Sequence, residues 1–301
     1  MVTQPSPDTS RAAMANVDYI CVIDPYLNET AELADLVLPA ATYLERTEPE
    51  WFKSDVWLPI LTLRQKCVEV GEALPDTQIM IKLGRALGYE EEFPTEDIAY
   101  YIDEDLSPAG ITLDRLREHP HGVWFGQIEY EKFKKSGFRA PGGKANIWSE
   151  VLEANGFDPL PIWIEPAESS RAKPDIAKDY PCVLFTGRSG PMYVHEQRRT
   201  IPWLREIQPE PYLWLNNVWA RKLGIQNGEL VEVSSPRGKI RIKAEPTPII
   251  KPGWLYVPGG WADANYNVMG IDDELDPISS QANYTMCAGR VDKIDDAEKV
   301  R

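Results

Sequence analysis

Apolar residues along this chain follow two different rhythms, and the change between them falls near residue 180. In the first part, Tyr19-Ile20-Cys21-Val22-Ile23 is a continuous apolar run with the length and β-branching of a strand buried on both faces, preceded by a helical stretch over residues 11–16. Asp24-Pro25 ends it. Asn28 to Leu33 reads as a short capped helix, and Leu36-Val37-Leu38 as a second buried strand closed by Pro39. This is a βαβ rhythm, so residues 1 to about 90 are expected in a parallel-sheet layer. Ile79, Ile81, Leu83, Ala86 and Leu87 mark one face of an amphipathic helix over 76–87, stopped by Gly88. From Tyr180 onward the apolar runs are short, and strands are predicted at 182–185, 212–215, 229–234, 239–244 and 254–257. One helix, Val218 to Leu223, interrupts them. Ser235-Pro236-Arg237-Gly238 and Pro252-Gly253 supply turns, and the whole predicts a small closed barrel.

Between the two rhythms lies a stretch with neither. Glu90-Glu91-Glu92, Glu96 to Asp105 and Asp114 to Glu118 read as a solvated acidic face, to which no chemistry is assigned. Residues 158–179, with several prolines and charges, predict a linker. The fold class expected is therefore α/β plus all-β, with a first domain over 1–157 carrying a helical extension and a second over 180–301.

Composition narrows the function. The 301 residues, 43% hydrophobic with ten Trp, have room for about two domains and their cores. A net charge of −15 argues against a phosphate-backbone binder, so an anionic ligand needs a local basic site. Cys21, Cys67, Cys182 and Cys287 have no C-x-x-C spacing and read as buried free thiols, outside any metal or disulfide framework. With only His119, His121 and His195, a His-based metal site finds little support either, and no metal ligand is assigned. No apolar run has the length of a membrane span, and residues 1–10 show no export signal; the compartment is left open.

The stretch from Tyr180 to Leu215 carries the strongest candidate chemistry. A buried strand ending at Thr186-Gly187-Arg188 delivers a hydroxyl, an unencumbered backbone N–H and a fixed positive fork to one spot, which suits a phosphate or a planar heterocycle. By themselves, three such residues equally make a plain turn. Asp24, at the carboxyl end of a predicted parallel strand, suits a ribose or guanine edge, or else simply caps the turn that follows.

Longer blocks are more specific. Asp24 through Pro39, with Glu29-Thr30-Ala31, Ala34-Asp35 and Val37-Leu38-Pro39, resembles a block of the dimethyl sulfoxide reductase family of molybdopterin oxidoreductases. Pro141-Gly142-Gly143-Lys144 followed by Asp158-Pro159-Leu160-Pro161 resembles a second block, from the branch containing thiosulfate and polysulfide reductases and acetylene hydratase. Tyr180-Pro181 through Thr186-Gly187-Arg188, Trp203-Leu204-Arg205, Ala220 to Gly228, Val231 to Gly238, Asn267 and Asp276-Pro277-Ile278-Ser279 resemble that family's C-terminal dinucleotide-binding barrel, in order and spacing.

The resemblance implies the C-terminal portion of a catalytic subunit that holds molybdenum or tungsten through bis(molybdopterin guanine dinucleotide), with a double-psi-type β-barrel closing over the pterins. Carried over by position, Thr186, Gly187, Arg188, Ser189 and His195 line the pterin and pyrophosphate region, Asn267 hydrogen-bonds the pterin, and Asp24, Arg46 and Asp76 meet a guanine nucleotide. Trp261, near the Asn267 loop, is a further candidate, while Trp203, Trp214, Trp219 and Trp254 read as core. His195 is either a proton donor, and so the one catalytic candidate, or an orienting donor to phosphate or pterin. One departure is Tyr284-Thr285, where many relatives carry Lys after an aromatic; Thr285 then stands where a charge contact is expected. A second is that the family's iron–sulfur segment, its metal-ligating residue and the first half of its nucleotide-binding sheet have no counterpart in these residues. The expected partners are therefore an N-terminal part of the catalytic subunit, bearing any iron–sulfur cluster, and an iron–sulfur electron-transfer subunit, with no nucleic acid. The chain alone is expected to be inactive. A stand-alone cofactor-binding module and a part of a non-redox hydratase are the alternatives, and the substrate is not legible.

Overall fold

A computed structural model describes residues 2–51, 58–188, 190, 192–273, 275–283 and 285–294. The chain divides into two compact units, one formed by residues 19–162 and the other by residues 1–18 together with 163–301.

In the unit over 19–162, β1 (Cys21–Asp24) and β2 (Leu36–Pro39) pair in parallel, Cys21 opposite Leu36 and Asp24 opposite Pro39. The expected βαβ rhythm is present, but the intervening helix is a single 3₁₀ turn, Ala31–Leu33. Asn28 sets that turn, its Oδ1 accepting from the N–H groups of Thr30 and Ala31 at 3.0 Å each. Neither strand is buried on both faces, which corrects the expectation from their apolar runs. A parallel pair with no third strand beside it among the described residues covers only part of its apolar surface. The same geometry leaves Cys21 exposed, and Cys67 is exposed as well, so only Cys182 and Cys287 are the buried thiols expected of all four.

A separate antiparallel sheet, β3 (Glu48–Trp51), β4 (Ile60–Arg64) and β5 (Val123–Trp124), was not anticipated. β3 carries Pro49 and alternating charges and β5 is two residues long, so only β4 has an apolar run; cross-strand ion pairs hold β3 to β4, Arg64 to Glu48 and, at 2.7 Å, to Glu50. The amphipathic helix runs Asp76–Ala86 and buries Ile79 and Ile81, while Leu83, Ala86 and Leu87, expected on the same face, are exposed. Helices Ile98–Leu106 and Leu113–Glu118 lie in the acidic stretch and turn Ile102, Leu106, Leu113 and Leu116 into a core with Val123. Their carboxylates face outward, as a solvated face requires.

The other unit is a closed barrel of β6 (Cys182–Gly187), β7 (Tyr212–Asn216), β8 (Leu230–Ser234), β9 (Lys239–Thr247), β10 (Trp254–Pro258) and β11 (Met286–Lys293). Around the barrel the order is β10-β6-β11-β8-β9-β7, with β10 closing on β7. Two pairs are parallel, β6 with β10 and β7 with β9; the other four are antiparallel. Alternation along β7 and β8 sends Leu213, Leu215, Val231 and Val233 inward, where they meet Leu184, Ala244, Leu255 and Val257. All eight are fully buried, each side chain larger than Ala contributing about 1.5–3 kcal/mol by leaving water. The inserted helix, Asn217–Leu223, is capped by Asn216, whose Oδ1 accepts from Val218 and Trp219, and ends at Gly224.

Two boundaries differ from the sequence reading. Residues 2–18 pack with the barrel, although the first domain was assigned to 1–157, and the segment from 163 docks on the barrel although 158–179 read as linker. Glu168 explains the second difference. Its carboxylate, 4% exposed, receives two hydrogen bonds from Arg237, at 2.6 and 2.9 Å, and one from the Ala288 N–H at 3.0 Å. A prolyl, polar segment reads as linker when its one anchoring partner lies 69 residues away.

Candidate functional site

The parallel register of β6 and β10 builds the site. Thr186 lies opposite Val257 and Gly187 opposite Pro258, so the two strands end together and release Arg188 beside Gly259 and Gly260. Gly259 N–H donates to the Gly187 carbonyl at 3.0 Å, and Thr186 N–H donates to the Thr285 carbonyl at 3.1 Å, which ties the start of β11 to the same end. The Tyr256 hydroxyl donates to the Arg188 carbonyl. That hydroxyl titrates above its ordinary range because it is buried. Carboxyl ends of adjacent parallel strands are where backbone N–H groups and short side chains converge on a ligand.

Above these ends is a cavity of ≈ 520 Å³, lined by Thr186, Gly187, Arg188, His195, Asn267 and Thr285 and, beyond the sequence candidates, by Thr3, Glu196, Gln197, Gly259 and Gly260. The tight turn carrying His195 bridges Val194 to Gln197 and places His195 at φ 53°, a left-handed conformation unusual for a residue with a side chain. Gly260 accommodates that turn. At φ 87° it has no Cβ, and one built there would overlap the His195 carbonyl. Gly260→Ala is therefore expected to displace the turn and lower the melting temperature by more than Gly253→Ala. Gly253 has φ 80° but open space around it, so it bears only the backbone strain of about 1–3 kcal/mol. Thermal unfolding of the two variants side by side checks this; equal shifts would mean that the turn does not rest on Gly260.

Two polar atoms of the lining are buried without a hydrogen-bond partner among the described residues, Thr186 Oγ1 and Glu196 Oε2. Each costs about 1–3 kcal/mol if left so, which a ligand offering complementary groups recovers. The Arg188 side chain is exposed, and no hydrogen bond or ion pair engages its guanidinium among the described residues. Asn267 is held at both ends, its N–H on Asn265 Oδ1 at 3.0 Å and its Nδ2 donating to the Val2 carbonyl at 2.8 Å. Its Oδ1 has no donor among the described residues.

The remaining sequence candidates lie elsewhere. Trp261 is buried to 2% and does not line the cavity; it packs edge-on against Tyr193 with ring centres 5.4 Å apart, under Arg205 at 5.3 Å. The Tyr193 hydroxyl reaches the carbonyls of Gln208 and Leu204 at 2.7 and 3.0 Å, so this aromatic pair holds the loop after the site. Arg46 and Asp76 come together in the unit over 19–162, with Arg46 Nη1 donating to Asp76 Oδ2 at 2.8 Å and Nε 3.1 Å from Glu48. Arg46 borders a cavity of ≈ 250 Å³ together with Thr47, Glu48, Pro75 and Thr77, and Asp76 lies outside its lining. Asp24 caps its turn, Oδ1 accepting from Tyr26 N–H and Oδ2 from Asn28 Nδ2, both at 2.8 Å. Ser189 lies outside the described residues. Glu196, Gln197 and the Gly259-Gly260 pair were missed. The double glycine directly after an apolar strand was the one visible signal.

Residues 183–288 match the family model described as Molydopterin dinucleotide binding domain. Acetylene hydratase of Syntrophotalea acetylenica is 29% identical over 82% of this chain and 34% of its own length. A formate dehydrogenase subunit alpha of Methanocaldococcus jannaschii is 30% identical over 98% of this chain and 42% of its own length. Among solved structures, acetylene hydratase from Pelobacter acetylenicus superposes with a TM-score of 0.84 at 25% identity, covering 96% of this chain and 42% of that one. The chain thus spans 34% to 42% of the length of these relatives.

Proposed function

From the premise that this chain carries a molydopterin dinucleotide binding domain and has molybdopterin oxidoreductases and acetylene hydratase as homologues over most of its length, we propose that it is the cofactor-holding C-terminal portion of a molybdenum or tungsten catalytic subunit. The observation that carries this reading is the end of the β6–β10 pair. Thr186-Gly187-Arg188 faces Gly259-Gly260 there, with an unpartnered Thr186 hydroxyl in a ≈ 520 Å³ cavity. These groups fit a bis(molybdopterin guanine dinucleotide): Gly187, Gly259 and Gly260 allow close backbone approach, Arg188 offers a guanidinium to pyrophosphate, and Thr186 and Asn267 offer oxygens and donors to a pterin. His195 orients the ligand from the rim of the cavity. When bound, the group supplies a metal centre for oxidation–reduction or for hydration.

The mixed parallel and antiparallel closure of the barrel supports a double-psi-type topology. In the other unit, Asp24, Arg46 and Asp76 serve a guanine nucleotide, Arg46 and Asp76 by exchanging their mutual ion pair for the ligand. Metal ligation and electron entry come from further polypeptide, the N-terminal part of the subunit with its iron–sulfur cluster and an iron–sulfur electron-transfer subunit. The share of each relative that this chain spans supports that division.

The likeness to acetylene hydratase in both sequence and structure favours a second reading, a part of a hydratase. One experiment separates the readings. The chain is purified alone and after co-production with the N-terminal portion of a relative, and molybdenum, tungsten and pterin content are measured along with turnover of a reduced dye and of acetylene. Cofactor and dye turnover only in the pair support the proposed part; acetylene turnover without dye turnover supports the hydratase. Stoichiometric metal with dye turnover in the chain alone overturns the need for a partner.

A further inference from the structure

Glu196 is the acidic residue of the cavity lining. Its Oε2 is buried without a donor among the described residues, although the backbone around it is firmly held. Val194 and Gln197 bridge across it, and Arg199 Nε donates to the Glu196 carbonyl at 3.1 Å. The turn is thus built to present the side chain at one place, and the strained φ of His195 immediately before it is part of that construction. A carboxylate repels a pyrophosphate, which Arg188 attracts, so these two residues assign different parts of a ligand to different parts of the lining.

What a buried carboxylate oxygen complements is a flat edge with adjacent N–H donors. The 2-amino-4-oxopyrimidine edge has this pattern, an amino group beside a ring N–H, and both a pterin and a guanine present it. Resting on the cofactor reading above, we propose that Glu196 is a specificity-determining residue that accepts hydrogen bonds from the 2-amino-4-oxopyrimidine edge of the ligand. Thr186 Oγ1, the second unpartnered oxygen of the lining, takes a further polar group of the same ligand. The cost of an unpaired buried acceptor then falls on any ligand lacking the amino group, and that difference is the source of discrimination.

The test is calorimetric titration of the full 301-residue chain with four probes: pterin-6-carboxylate, lumazine-6-carboxylate (a carbonyl in place of the amino group), guanosine diphosphate and adenosine diphosphate. The wild-type chain is expected to prefer pterin over lumazine, or the guanine over the adenine nucleotide, by about tenfold or more. Whichever pair shows the preference names the source of the edge. Glu196→Gln is expected to abolish that preference, with melting of the ligand-free chain unchanged or raised because an unpaired carboxylate is gone. Equal binding within both pairs by the wild-type chain overturns the proposal without needing any variant, and so does an undiminished preference in Glu196→Gln. Binding of none of the four, like binding without discrimination, overturns this inference alone, whereas the cofactor reading stands or falls on the metal and pterin content of the co-produced pair.

Discussion

Replacing Arg188 with Ala in the assembled enzyme is expected to reduce cofactor affinity about ten- to a hundred-fold, the worth of one charge-assisted phosphate contact of about 1.5–3 kcal/mol. The melting of the cofactor-free chain is expected to stay nearly unchanged. Both expectations follow from the same geometry. Arg188 stands just past the end of β6, its carbonyl held by the Tyr256 hydroxyl, while its guanidinium is exposed and unengaged among the described residues. Removing the side chain therefore takes away a ligand contact and leaves the fold's own contacts in place. A cation bound to a carboxylate of its own barrel behaves in the opposite way, destabilising the empty fold while cofactor content falls only as folded protein does. Pterin and metal per folded chain, measured with the apo melting curve on one variant, separates the two. Apo destabilisation with unchanged affinity rules out the phosphate role.

Glu168→Ala is expected to destabilise the barrel by roughly 3 kcal/mol, near the low end for breaking a buried ion pair, because Arg237 remains 23% exposed. For a unit of this size that lowers the melting temperature by roughly 6–12 °C. The loss is large because three donors are orphaned together, the two Arg237 nitrogens and the Ala288 N–H. Arg237 would keep the Met269 carbonyl, to which its Nε donates at 3.0 Å. The pair also predicts a pH dependence. Burial alone raises the Glu168 carboxyl, but the Arg237 and Ala288 hydrogen bonds outweigh it and hold the group below its ordinary 4.5. A carboxyl lowered on folding contributes stability that is fully present above its unfolded value and lost as pH falls through the folded one. Wild-type melting should therefore fall steeply below about pH 4.5, and Glu168→Gln should flatten that limb while lowering the plateau. A variant whose melting runs parallel to wild type from pH 7 to pH 3 would show that this contact does not anchor the segment from 163.

Local pattern and tertiary structure divided this protein between them in a way that follows from what each can encode. Strict alternation in Leu230–Ser234 and Lys239–Thr247, with Gly and Pro turns between, made those strands legible, since a two-residue period needs only one buried face and no knowledge of the partner. The Thr186-Gly187-Arg188 end was legible for a similar reason, a strand of apolar residues broken by three whose chemistry differs. β11 was not legible: Met286–Lys293 mixes Gly289, Arg290 and Asp292 into its run, because it crosses Leu184 too closely for a Cβ at 289. Yet β11 joins β6 to β8 and so closes the barrel. In the other unit, apolar runs predicted strands buried on both faces, but burial depends on what lies alongside, and among the described residues β1 and β2 pair only with each other. Glu168 and Glu196 were passed over as one linker acid and one loop acid. Their environments come from Arg237, 69 residues distant, and from a cavity assembled out of the ends of separate strands. By itself the sequence determined which segments could be strands and which residue types stood at their ends. Only the tertiary structure decided which of those ends met, because register, closure and the burial of a lone charge are properties of pairs far apart in the chain.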